Sequence, residues 1–379
     1  MVVAAADRER MEVRELPVLE HRAPIEAASR RIIGYDLARA FAILAMMVDH
    51  CAQALGPTQP TGWGGFLLSL IDGRASAIFV CLAGVGVTLL NRRQTPAEIR
   101  AVLLRRGAFL LAIGFVNQRI WPGDVLRLFG VTMMAAGFLV TLSSRALLTT
   151  AICVVCTFPV LMGIMDYDSR WDWNTYQYRG LFTPVGAVRN LFFDGFRPVI
   201  PWAGILILGM WIGRLDTTRA SVRRRMLLWG VGLTAATETL SFVGLRVWLN
   251  HRGGLSEDTI RMICETSSMP PLPVFVLTVV GTALIAISLA LMAGHHWHET
   301  RVTRALADTG QMALTWYLFH IAIGALWIYK RGWHTAGTVA NGILVGAAFF
   351  TLLVFVSHYW KRRHKYGPME WLLRNVSSN

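Results

Sequence analysis

Apolar residues fall along this chain in long runs separated by short polar connections, and the pattern recurs about ten times. A run of about 20 apolar residues is what a helix needs to cross the hydrocarbon core of a bilayer. The pattern predicts helices near residues 35–55, 72–90, 102–118, 124–142, 146–165, 198–213, 225–249, 272–293, 306–329 and 336–358. Residues 1–34 precede the first run; they carry arginines among acids and prolines and no apolar core, so they read as a mobile cytoplasmic arm and not as a signal peptide. Residues 359–379 form a basic, amphipathic tail. Its KRRHK run suits anionic headgroups, and GPMEWLLR predicts a short helix lying on the inner surface.

Composition agrees with the runs. Hydrophobic residues make up 54% of the chain and charged residues only 16%, well below the roughly 25% of a soluble domain. The expected fold is therefore all-α: a polytopic membrane protein of about ten transmembrane helices. The net charge of +14 would suggest nucleic acid in a soluble chain, but the basic residues sort by connection. With the N-terminus inside, 24 of the 37 Lys and Arg fall in connections on the cytoplasmic side and 9 on the other. The positive-inside rule then predicts both termini in the cytoplasm, an even helix count and an inner-membrane location, and removes nucleic acid from the expected partners.

Four arginines, Arg39, Arg74, Arg127 and Arg246, are left inside the predicted helices, together with acids and histidines. Ionisable groups at membrane depth are costly and mark candidate sites. The first helix, GYDLARAFAILAMMVDHCAQAL, holds Asp36, Arg39, Asp49 and His50. Arg39 and His50 are three helical turns apart, so they share a face about 16 Å long, and Asp36 lies one turn below Arg39. Asp49 points about 100° away from His50, so a carboxylate from another helix, Asp72 or Glu238, is the expected partner of His50. Asp72 and Arg74 open the second helix, and Asp124 and Arg127 the fourth. Glu238 lies mid-helix in the seventh, with Arg246 two turns on to neutralise it, and His320 lies in the ninth. Read singly, Arg39 could reach headgroups and His50 could face water at a helix end.

Other features carry less. Gly84 and Gly86 suit close helix approach, and Pro198, Pro201 and Gly204 predict a broken helix that could line a cavity. The aromatic stretch 166–196 suits the headgroup level or a ring-bearing ligand. Cys153 and Cys156 form a C-x-x-C inside an apolar run without a second pair, and read as packing residues. His295, His296 and His298 crowd one loop and read as solvated; no metal is expected.

Several segments, taken in order, resemble a known family. RIIGYDLARAFAILAMMVDH, DGRASAIFVCLAGVGVTL, GDVLRLFGV, PWAGILILGMWIGRLD and DTGQMALTWYLFH are similar to bacterial relatives of heparan-alpha-glucosaminide N-acetyltransferase, and KYGPMEWLLR resembles the C-terminal signature of the YeiB-like membrane proteins. The spacing of Arg39 and His50 also resembles the first-helix motif of membrane acyltransferases that O-acetylate glycans. The resemblance spans about Arg31 to Arg374 and implies that residues 35–358 form a transmembrane acyltransferase-like domain.

What it implies chemically is transfer of an acyl group, acetyl in the first instance, from cytoplasmic acyl-CoA to a hydroxyl or amine of a sugar-like acceptor in or across the membrane. Arg39, with Asp36, Arg74, Arg105 and Arg106, would hold the donor, whose phosphates suit guanidinium forks. His50 or His320 would be the base, with Asp72 or Glu238 beside it. In the heparan enzyme the first helix carries an amide at the position of His50, and the histidine follows in the outer loop. Here residues 51–71 contain no histidine. Lipids and a second copy in a homodimer are further expected partners. The rival readings are a transporter or lipid flippase, which would call for paired broken helices in both halves, and a receptor or scaffold whose polar residues only join helices.

Overall fold

A computed structural model of the chain describes residues 31–55, 62–91, 94–173, 177–251, 254–325 and 338–378. Nearly all of arm 1–34, Arg92, Arg93, Arg252, Lys330 and Arg331 lie outside the described residues, as do the ends of the predicted helices 306–329 and 336–358.

Each of the ten predicted stretches holds a helix. In chain order these are α1 (Ile33–Leu55), a short α2 (Gly62–Ser69), α3 (Arg74–Asn91), α4 (Pro96–Asn117), α5 (Leu126–Leu139) and α6 (Ser144–Ile164). After a long connection containing α7 (Pro184–Arg189) come α8 (Val199–Ile212), α9 (Ala220–Asn250), α10 (Glu257–Cys264) and α11 (Pro273–His296). The last stretches hold α12 (Arg301–Gln311), α13 (Ala313–His320), α14 (Val339–Arg363) and α15 (Pro368–Ser378). Among the described residues, five spans are long and apolar enough to cross a membrane: Gly62–Asn91, α6, α9, α11 and α14. A sixth results if the pair Pro184–Asp194 and α8, bent by 51°, counts as one. The rest fall short for local reasons. α1 and α4 carry charges along their length, α5 has 14 residues, and the ninth stretch breaks at Met312 between α12 and α13.

α1 lies against α3, α11, α12 and α14. Ala40, Ile43 and Met47 from α1 meet Met312, Trp316, Phe350 and Leu353 in one buried cluster. Small residues let the backbones close up. A Cβ on Gly84 would lie 1.9 Å from the Leu206 carbonyl oxygen and 2.7 Å from the Met210 nitrogen, so α3 and α8 touch where the sequence expects them to. Gly86, two residues on, has nothing within 4 Å of such a Cβ. Contrary to expectation it serves no helix contact. Gly84→Ala is therefore expected to lower stability by about 3 kcal/mol, since backbone atoms must move, and Gly86→Ala to leave it unchanged. Thermal melts of the purified variants check this contrast.

The broken helix is present as predicted, with non-helical backbone at Ile200. The aromatic stretch before it folds on itself. Strands Trp171–Asp172 and Gln177–Tyr178 pair antiparallel, with Trp171 opposite Tyr178. Buried Asp194 accepts from Tyr178 Oη at 2.7 Å and pairs with Arg189 at 2.5 Å, while its carbonyl accepts from Trp171 Nε1 at 2.6 Å. Tyr167 and Trp171 are buried in this fold. Contrary to expectation, Cys153 and Cys156 are not packed inside; they sit on the exposed face of α6.

Candidate active site

α1 carries the polar stripe its periodicity predicts. Asp36 is buried and ion-paired with Arg39, and it also accepts from Gln311 Nε2 of α12 at 3.4 Å. Tyr35 beside it bonds Thr217 at 3.0 Å. Arg39 stays 28% exposed at its side chain, so the guanidinium has room for a further anionic partner.

At the other end of the stripe His50 meets His320 of α13, with Nδ1 of His50 3.0 Å from Nε2 of His320 and the rings stacked at 5.2 Å. Nδ1 of His320 lies 3.0 Å from the Trp316 carbonyl oxygen. A carbonyl only accepts, so this bond assigns the proton of neutral His320 to Nδ1 and leaves a lone pair on its Nε2. That lone pair accepts from His50 Nδ1–H. In neutral His50 the basic nitrogen is then Nε2, on the side turned away from His320. The Trp121 ring lies 5.1 Å from the His50 ring and Tyr317 5.7 Å from that of His320.

A cavity of about 280 Å³ opens beside Arg39, the residue of α1 that lines it. Arg39 and Arg106 line it, then Leu82, Ala83, Gly86 and Val87 of α3, Leu103 and Leu110 of α4, and Leu126, Phe129 and Met133 of α5. Tyr317 and Val125 close its far end, one turn of α13 from His320. The Tyr317 hydroxyl accepts from Val125 N at 3.1 Å and donates to Asp124 at 3.2 Å. Asp124 also accepts from Asn117 at 2.7 Å and from Arg127 N at 3.1 Å, and Arg127 donates to Asn190 at 3.0 Å. The partition between cavity and histidines is thus fixed by a buried polar network. At this volume, near the low end for ligand clefts, the cavity suits a narrow chain and not a whole nucleotide.

Several expected partnerships are different. His50 pairs with a histidine and not with Asp72 or Glu238, because α13 brings His320 alongside α1. Glu238 is bonded to Arg74 at 2.6 Å and is 42% exposed, so it neither orients His50 nor lies enclosed in the bundle. Arg246, its expected neutraliser, stacks on Phe242 instead, at 4.4 Å. Arg74 is held by Glu238 and the Ser69 carbonyl. Arg105 points outward and only Arg106 reaches the cavity. Asp49 is buried and bonded to Gln53 at 2.9 Å, away from His50 as predicted. Sequence reasoning missed Trp121, Tyr317, Asn190 and the open Gly86. Asp124 and Arg127 stood out as charges in an apolar run, whereas Asn190 gave no signal.

Two family profiles match the chain. Residues 31–252 match the profile described as heparan-alpha-glucosaminide N-acetyltransferase, catalytic. Residues 213–378 match one described as a protein of unknown function, DUF418. No curated protein matched the chain.

Proposed function

Since this chain belongs to the heparan-alpha-glucosaminide N-acetyltransferase catalytic family, we propose that it is a transmembrane acyltransferase using acyl-CoA from the cytoplasm. The acceptor is a hydroxyl or amine of a sugar-like molecule, glycolipid or small molecule in or across the membrane. The reading includes about ten spans in the inner membrane, both termini cytoplasmic, acetyl as the first group to test and no metal. The observation that carries it is an apolar cavity with Arg39 and Arg106 in its wall and Tyr317 at its other side, one turn of α13 from the His320–His50 pair.

Arg39 and Arg106 hold the donor phosphates, with Asp36 fixing Arg39. The nucleotide stays at the mouth and the pantetheine arm enters the cavity as far as Tyr317, and the thioester meets His50, about 16 Å from Arg39 along the helix, when the Tyr317–Asp124 contact gives way. Nε2 of His50 takes the proton of the acceptor O–H or N–H as that atom bonds to the thioester carbon. The C–S bond breaks, and the departing thiolate takes the proton from His50. His320 orients His50 and spreads the charge the ring acquires. A transporter would call for two bent helix pairs, and the described residues hold a single one.

The test is release of free thiol from a panel of acyl-CoAs by protein purified in nanodiscs, with and without sugar and amine acceptors. Wild type that neither binds nor cleaves any of them overturns the proposal. Arg39→Gln is expected to raise KM for acyl-CoA by about 10- to 100-fold, the loss of a charge-assisted phosphate contact, while kcat changes little.

A further inference from the structure

No step of the acyl transfer just described uses a polar residue of the tail signature KYGPMEWLLR. α15 packs one side against α4 and α13 and leaves most of its residues exposed, Trp371 and Leu372 among them.

α13 needs what this tail supplies. The break at Met312 (φ −107°, ψ 27°) starts a new helix, and its first-turn N–H groups have no carbonyl partners within it. No side chain at Met312 caps them. Glu370 does so from 55 residues away. Its Oε1 accepts from Leu314 N at 2.7 Å and Thr315 N at 3.1 Å, and its Oε2 from Thr315 Oγ1 at 2.6 Å. Met369 N donates to the same Thr315 Oγ1 at 3.1 Å. A carboxylate at this end also suits the helix dipole. Burial raises the Glu370 carboxyl above its ordinary range even against these bonds.

The rest of the signature serves the same docking. A Cβ on Gly367 would lie 2.2 Å from Glu370 Oε2 and 2.8 Å from Thr315 Oγ1, so only glycine leaves the carboxylate its place. Arg374 stacks on Tyr366 at 4.4 Å, Ser377 accepts from Arg106 Nε at 3.2 Å, and Leu373 forms part of the cavity wall.

We propose that Glu370 is a positioning residue for the reaction: by capping α13 it sets Tyr317 and His320, which follow within two turns, against the cavity and against His50. The proposal rests on the acyltransferase reading. Glu370→Ala is expected to lower kcat about 100-fold through a misplaced histidine pair, with KM for acyl-CoA little changed. Glu370→Gln keeps an oxygen for the two N–H groups and an NH₂ for Thr315, and restores most of kcat. Gly367→Ala, which leaves Glu370 present but displaced, loses kcat as Glu370→Ala does. Wild-type kcat in folded Glu370→Ala, a change in KM alone, or a Gln variant as impaired as Ala would each overturn it. A second readout needs no turnover: ¹⁵N spectra of histidine-labelled protein follow the hydrogen-bonded ring nitrogens of His50 and His320. Their signature is expected to be lost in Glu370→Ala and kept in Glu370→Gln. If wild type has no acyl-CoA activity the transferase reading falls, and an unchanged spectrum in Glu370→Ala sinks the positioning claim separately.

Discussion

Replacing His50 with alanine is expected to lower kcat for acyl transfer by about 10³- to 10⁴-fold and to leave acyl-CoA affinity near that of wild type. The asymmetry follows from where the parts lie. Arg39 and the cavity walls bind the donor, three turns of α1 away, whereas Nε2 of His50 is the nitrogen left basic by the chain of bonds from Trp316 through His320. His320→Ala is expected to cost about 100-fold, because His50 remains but its ring and tautomer are no longer fixed. The double variant should be little worse than His50→Ala alone, since the two rings act as one unit. Single-turnover kinetics with a separate binding measurement decide the matter. A fully active His50→Ala beside a dead His320→Ala would exchange the two roles.

The second large effect is steric. Gly86 lines the cavity with nothing within 4 Å of an added Cβ, so Gly86→Leu extends from that open position into donor space. Its KM for acyl-CoA is expected to rise about 100-fold, the cost of forcing atoms into occupied volume, with the melting temperature unchanged. Gly84→Ala, two residues away on the same helix, is expected to do the reverse: to destabilise without a specific loss of affinity. A Gly86→Leu enzyme with wild-type KM would mean that the donor does not run through this cavity.

The helices and the α1 stripe were legible in the sequence because both are local. An apolar run of membrane length and a 3.6-residue period are visible without knowing any neighbour, and α1 holds Asp36, Arg39 and His50 in the predicted order. Partner choice was not legible. A carboxylate for His50 was a reasonable chemical expectation, yet Glu238 is taken by Arg74 and His50 by His320. The tail shows the same limit. GPMEWLLR reads as a surface helix by its pattern, and nothing in that pattern says that Glu370 will cap a helix broken 58 residues earlier, at Met312.

By itself the sequence determined a helical membrane protein, the stretches that form its helices, and which of them carry costly charges, because lipid enforces these properties residue by residue. Only the tertiary structure decided which charges meet. Contacts between distant helices depend on where small residues such as Gly84, Gly310 and Gly346 let backbones close, and that geometry turned α13 toward α1, made a histidine pair of His50 and His320, and left Gly86 open to the cavity.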